Sequence, residues 1–271
     1  MADIAVLLPD GSERHVAEGS TVLDVARSIG SRLAKAALAG VVNGNEVDLS
    51  TPVSSGDSVA IVTSDSDAGR HVLRHSTAHV LAQAVVQMFP GAQFTIGPAI
   101  EDGFYYDFQL SRPLTPDDLT AIEARMAESV RANHAFVRRE LPPAEGRAHF
   151  LSNDQPFKVE ILDDLAARSA AEGTPMPPTS VYEHGPFTDL CKGPHVASTG
   201  RIGPFKLLAV AGAYWRGKSD RPMLQRVYGT VWATQEDLDR YLWRREEARK
   251  RDHRRSEEHT SELQSRGLIS Y

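Results

Sequence analysis

Two histidines stand four residues apart in the string His75-Ser-Thr-Ala-His79. On a helix that spacing sets one side chain above the other, so both rings reach one small volume. Further along, Asp189-Leu-Cys191-Lys-Gly-Pro-His195 gathers a carboxylate, a thiol and a third imidazole. The Gly-Pro pair forces a turn, which lets Cys191 and His195 converge. Two chemistries use such a set. Three imidazoles and a thiolate make a tetrahedral ligand set for Zn²⁺. Without metal, an imidazole that titrates near neutral pH is a general base for water. A plainer reading has His-x-x-x-His fall by chance on a buried helix while the cysteine merely packs. The second cluster weighs against that reading, and both chemistries stay open on the residues alone.

Other residues carry less. Ala211 to Lys218 is a small-residue stretch ending in Trp215, Arg216 and Lys218. It is suited to bring an aromatic face and two cations to a phosphate or a stacked base, although a plain loop is the commoner outcome. Phe104-Tyr105-Tyr106 reads as a strand with sheet-packing aromatics, Tyr105 being the candidate to line a nucleotide pocket. The Gly-Pro pairs Gly97-Pro98, Gly185-Pro186 and Gly203-Pro204 read as turns.

The elements that must position these residues follow from apolar spacing. Residues 1–64 alternate short apolar runs with turns at Pro9–Ser12 and Asn43–Asn45, around a helix capped by Ser20 and ended by Gly30. Strand–hairpin–helix–strand–strand is a β-grasp, ubiquitin-like pattern. Ser64 to Gly69 has linker composition. A helix from about Arg70 to Phe89 carries both histidines and is apolar nearly all round, so it should be buried. A hairpin over Gln93–Phe108, a helix from Thr115, and strands near Ser180–His184, Phe205–Val210 and Leu224–Val231 complete an α+β fold. Glu236 to Arg255 reads as a charged, exposed helix.

Composition closes off several classes. The chain has 271 residues, a formal charge of −6 and one cysteine, so an internal disulfide is impossible and a cystine-stapled scaffold is excluded. No apolar run approaches a membrane span, and Met1-Ala2-Asp3-Ile4 lacks the basic start of a signal peptide, so a cytoplasmic protein without membrane contact is expected. The acidic total hides one basic stretch: Arg244 to Arg255 holds seven bases against three acids.

The strings HSTAHVLAQAV, TIGPAIEDGFYYDF, DLCKGPH, AGAYWRGKSDRPMLQRVYGT and EARKRDHR resemble, in order and spacing, the N-terminal half of bacterial threonyl-tRNA synthetases. The likeness runs through Arg254. It implies a TGS domain at 1–64, the threonyl/alanyl-tRNA synthetase second additional (editing) domain at 70–228, and a connector helix at 234–255. Residues 256–271 match nothing expected there, and EEHTSELQSR resembles a translated sequencing adapter, so that tail is expected to be artefactual and the frame cut before the class II catalytic core. ATP and the family's catalytic zinc belong to that core, so no aminoacylation is expected.

For the editing unit, the resemblance implies hydrolysis of serine misattached to tRNA(Thr). Serine lacks one methyl of threonine, and one such contact discriminates only ~10–200-fold, so a second, smaller site is needed. The family's editing residues map onto His75, His79, Cys191, His195, Asp189 and Lys158. The implied roles give His75 or His79 the water. Lys158 contacts the seryl group or a ribose or phosphate oxygen, and Asp189 holds the α-amine. Cys191 and His195 form the floor or pass a proton. The threonyl branch resembles a metal-free design, so no cofactor is expected at this site, with zinc on His75, His79, Cys191 and His195 the disfavoured alternative. tRNA(Thr) is the implied partner, and a monomer is expected. A non-catalytic tRNA-binding module and a free-standing zinc-dependent ester hydrolase are the competing functions.

Overall fold

The computed structural model describes residues 3–266, with side chains through Arg251. Turn chemistry shapes the first unit. β1 (Asp3–Leu7) and β2 (Glu13–Ala17) pair antiparallel across a turn in which Gly11 adopts φ +81° and Asp10 accepts from the Ser12 N–H. Thr21, one residue after the expected cap, closes a capping box with Asp24 at the start of α1 (Val22–Ile29). A short α2 (Ser31–Ala36) leads into β3 (Ala37–Val42), β4 (Asn45–Val47) and β5 (Val59–Thr63), ordered β4-β3-β5. Leu7 bridges Ser58 in parallel, joining hairpin to sheet around Val6, Val22, Val25 and Val59. This is the β-grasp arrangement.

The expected linker is a packed joint. Ser66 caps α3 (Asp67–Met88), so the helix begins inside the segment that composition marks as a linker. Gly69 lies against the Thr63 carbonyl, where any Cβ would overlap the backbone. Leu38, Ala39 and Val62 of the first unit share one apolar cluster with Val72 and Leu73 of α3. The two units therefore rest on a common core.

α3 is buried on almost every side, including Leu73, Val80 and Leu81 on one face and His79 and Ala82 on another. It packs on the sheet formed by β6 (Gln93–Phe94), β8 (Gly103–Gln109), β12 (Phe205–Tyr214) and β13 (Met223–Val231), ordered β12-β13-β8-β6, with β7 (Ala99–Ile100) pairing β8. On the way the chain forms α4 (Pro116–Ala132), β9 (Val137–Leu141), α5 (Pro143–Ser152), α6 (Pro156–Ala171), β10 (Thr179–His184) and β11 (Phe187–Leu190). The last three strands of that group make a second sheet, β11-β10-β9. Ala211–Tyr214, expected as loop, is strand: Ala211 opposes Arg226 and Tyr214 opposes Met223. The final helix, α7 (Gln235–Arg266), continues past Arg255. The expectation of a foreign tail at 256–271 thus falls on backbone that is helical to Arg266, and residues 267–271 lie outside those described. The fold is α+β, and no helix among the described residues is long and apolar enough to cross a membrane.

Candidate active site

One helix and one loop make the cluster. α3 sets His75 and His79 a turn apart, with Nε2 to Nε2 at 3.3 Å and the rings edge to face. The loop after β11 brings Cys191 Sγ to 3.3 Å from His75 Nε2 and to 3.3 Å from His195 Nε2. The loop closes on itself as the Gly193 N–H donates to Cys191 Sγ at 3.2 Å. Gly193 takes φ +74°, and a Cβ there would overlap the Tyr182 hydroxyl, so position 193 has to be glycine.

A serine between the two helix histidines fixes the third ring. Ser76 Oγ donates to the Val72 carbonyl and accepts from the Val196 N–H, and it lies 3.1 Å from His195 Nδ1. Its one proton is committed to Val72, so we assign the proton of that last contact to His195 Nδ1. His195 Nε2 is then a lone pair facing the Cys191 thiol. With the thiol donating there, His75 Nε2 stands 3.3 Å from both Cys191 Sγ and His79 Nε2, while His79 Nδ1 is left without an aligned hydrogen-bond partner.

A buried charge pair stands beside the histidines. Lys158, from α6, reaches 2.5 Å from Asp189 Oδ1, while Tyr106 donates to Asp189 Oδ2 at 2.6 Å. His79 Nδ1 lies 3.1 Å from the same Oδ2. The Lys158 and His79 contacts are charge proximity rather than aligned hydrogen bonds. Lys158 and Asp189 are each only 1% exposed. Burial, then the charge of Asp189, holds the Tyr106 phenol well above its ordinary range, so it stays a donor.

Burial also sets the protonation of the cluster. It lowers His75 to about 4, helped by the like charge of His71. His79 and His195 fall well below the usual imidazole range, first from burial and then from neighbouring imidazoles. Burial pushes the Cys191 thiol up to about 12. At neutral pH the set is three neutral rings and a thiol. His75 and Cys191 remain half-buried and open onto a cleft of about 270 Å³, lined also by Gly97, Tyr106, Lys158 and Gly193. His195 supports this cleft from behind.

The donors also suit a metal in kind and span. Zinc bonds of ~2.0–2.3 Å in a tetrahedron separate ligand atoms by about 3.3–3.6 Å. The three close contacts are 3.3 Å, and all four ligand atoms lie within 4.8 Å of one another. A metal would have to displace the thiol proton.

The remaining sequence candidates lie elsewhere. Tyr105 is on the other face of β8, with the Arg226 guanidinium 3.9 Å from its ring centre. Trp215 is buried against Phe157 and donates to Glu160 on α6, and Arg216 pairs with Glu160 and Asp164. Lys218 is exposed and away from the cleft lining. Sequence reasoning missed Tyr106, Ser76 and Tyr182. A strict two-residue alternation along Phe104–Phe108 carries a signal for Tyr106, and nothing local marks the other two.

Residues 4–63 match the TGS domain family, and residues 179–228 match the family described as the threonyl and alanyl tRNA synthetase second additional domain. A threonine–tRNA ligase of Pelobacter propionicus is 51% identical over 255 residues, covering 94% of this chain and 39% of that protein. The threonine–tRNA ligases of Magnetococcus marinus and Saccharophagus degradans are each 52% identical, over 93% and 92% of the chain and 38% of those proteins. The chain spans about two fifths of the length of these relatives. With a TGS domain followed by a threonyl and alanyl tRNA synthetase second additional domain, the chain corresponds to the N-terminal part of these threonine–tRNA ligases.

Proposed function

We propose that this chain hydrolyses the ester of seryl-tRNA(Thr), and that tRNA(Thr) is its partner. The observation that carries the reading is the half-buried, neutral His75 opening onto a small cleft beside the Lys158 ammonium and the Cys191 thiol. A neutral imidazole takes a proton from water as the water oxygen attacks the ester carbonyl carbon. The bond between the carbonyl carbon and the ribose oxygen breaks, the proton passes to that oxygen, and serine leaves as a carboxylic acid that gives its remaining proton to solvent. Lys158 supplies positive charge where the carbonyl oxygen becomes an oxyanion. Asp189 is engaged by Lys158, Tyr106 and His79, so its role is to hold Lys158 and His79 rather than to bind the substrate amine.

The test compares deacylation of Ser-tRNA(Thr) and Thr-tRNA(Thr). The seryl ester should be cleaved preferentially, and His75→Ala should lower that rate by about 10²–10⁴-fold. Equal cleavage of both esters, or an unaffected variant, overturns the proposal. Intact seryl-tRNA with salt-dependent binding would leave only a tRNA-binding module.

The 3.3 Å separations support a second reading, a zinc held by His75, His79, Cys191 and His195. Zinc there would polarise the ester carbonyl or lower the pKa of a bound water. The metal-free form is preferred because Cys191 Sγ already lies within hydrogen-bond reach of His75, His195 and the Gly193 N–H. Elemental analysis of purified protein is expected to give well under one zinc per chain. Stoichiometric zinc lost in a His75→Ala, His79→Ala variant would reverse that preference.

A further inference from the structure

The 191–195 loop that completes the cleft is gripped by a residue of the other domain. Asp48 follows β4 in the TGS unit, where its carbonyl accepts from the Thr51 N–H in a turn anchored by buried Leu49 and Val53. Its Oδ2 accepts from the Tyr182 hydroxyl at 2.7 Å and its Oδ1 from the His195 N–H at 2.9 Å. Tyr182 is buried, stands edge-on to the His195 ring at 4.4 Å, and fills the side-chain space of Gly193. One carboxylate thus ties β10 to the loop on both sides of Pro194.

We propose that Asp48 is a positioning residue for the hydrolytic site, a TGS-domain clamp that holds the 191–195 loop with Cys191 and His195 in register with His75. This rests on the hydrolase reading above. The argument is geometric: His195 Nε2 and Cys191 Sγ meet the histidines only while the loop backbone stays in place, and misplacement by about an ångström costs of order 10²-fold in such sites. The clamp also gives the small N-terminal domain a direct part in the chemistry.

The test compares Asp48→Ala, Asp48→Asn and Arg201→Ala in the full chain. Asparagine keeps both bonds, its carbonyl accepting from His195 N–H and its amide donating to the Tyr182 oxygen. Arg201 makes a separate contact between the domains, to the Lys35 and Ala37 carbonyls. For Ser-tRNA(Thr), Asp48→Ala should lower kcat by about 10–100-fold with little change in KM, while Asp48→Asn stays within about threefold of wild type. Arg201→Ala should leave the rate unchanged. Cys191 is the sole cysteine, so alkylation by iodoacetamide at one pH reports the loop without reference to activity. Asp48→Ala should react about tenfold faster than wild type, and Asp48→Asn should not. If circular dichroism shows Asp48→Ala unfolded, Tyr182→Phe, which removes one arm of the clamp, should give intermediate acceleration. Wild-type rates of both hydrolysis and alkylation in Asp48→Ala overturn the proposal. An equal loss in Arg201→Ala also overturns it, since the effect would then be domain docking in general. An inactive wild type would sink the hydrolase reading alone, and the alkylation series would still decide the clamp.

Discussion

Lys158→Met is expected to lower the unfolding free energy by about 3–5 kcal/mol and to abolish hydrolysis of the seryl ester. The methionine chain fits the space of the lysine stem, which runs between apolar walls. The ammonium lies 5.1 Å from the Phe94 ring centre and 5.8 Å from that of Tyr106. What the substitution removes is the partner of Asp189, a carboxylate with 1% exposure. Tyr106 and His79 still touch that carboxylate, but neither supplies a full positive charge. An uncompensated buried charge is the costly state, whereas removal of both partners is close to neutral. Lys158→Met with Asp189→Leu should therefore recover most of the stability, with no recovery of activity. Urea denaturation of the single and double variants measures this. A single-variant cost under about 1 kcal/mol would mean that the charge pair is not the site's support.

How much of this could be read from the sequence depends on how local the determinants are. His75 and His79 were legible because helical spacing fixes their relation, and Cys191 and His195 because a Gly-Pro turn lies between them. The burial of α3 was legible because its apolar residues leave no polar face. Tyr106 was not separated from Tyr105. Adjacent strand residues face opposite sides, and with two tyrosines in a row the phase is marked only by the flanking Phe104, Asp107 and Phe108. The long-range stack of Arg226 on Tyr105, with Arg226 paired to Asp107, fixes the ring that points outward. Ser76 and Asp48 meet His195 from 119 and 147 residues away, a relation no local pattern encodes. The segment 64–69 misled for a related reason. Ser, Asp and Gly suit linkers, but they also suit a helix cap and a close backbone approach, and here Ser66 and Gly69 do those jobs. Ala211–Tyr214 has loop-like small residues, yet β12 is a sheet edge, where few side chains must be packed.

Acid should unfold this protein unusually early. His75 and His184 are held at about 4 and about 3, and His79 and His195 well below the ordinary imidazole value, in each case chiefly by burial. In the unfolded chain all four titrate near ~6.5. The sign follows from which state binds more protons. Between the unfolded and folded values the unfolded chain is protonated and the fold is not, so stability falls as pH falls. It is fully present above about pH 7 and declines through the window from about 6.5 down to the folded values. Each neutral buried imidazole adds a slope of about 1.4 kcal/mol per pH unit, so four approach about 5 kcal/mol per unit. Against a typical total of about 5–15 kcal/mol, that is enough to unfold the domain within about one to three units below the unfolded value, before most carboxylates titrate. Urea midpoints measured from about pH 8 to 5 test this, and a flat profile would mean that the cluster protonates without penalty. His184 provides the internal control. It lies between Phe136 and Phe187, and neither ring nitrogen has a hydrogen-bond partner among the described residues. His184→Phe should therefore fold, keep the catalytic histidines untouched, and reduce the acid slope by about one proton's worth.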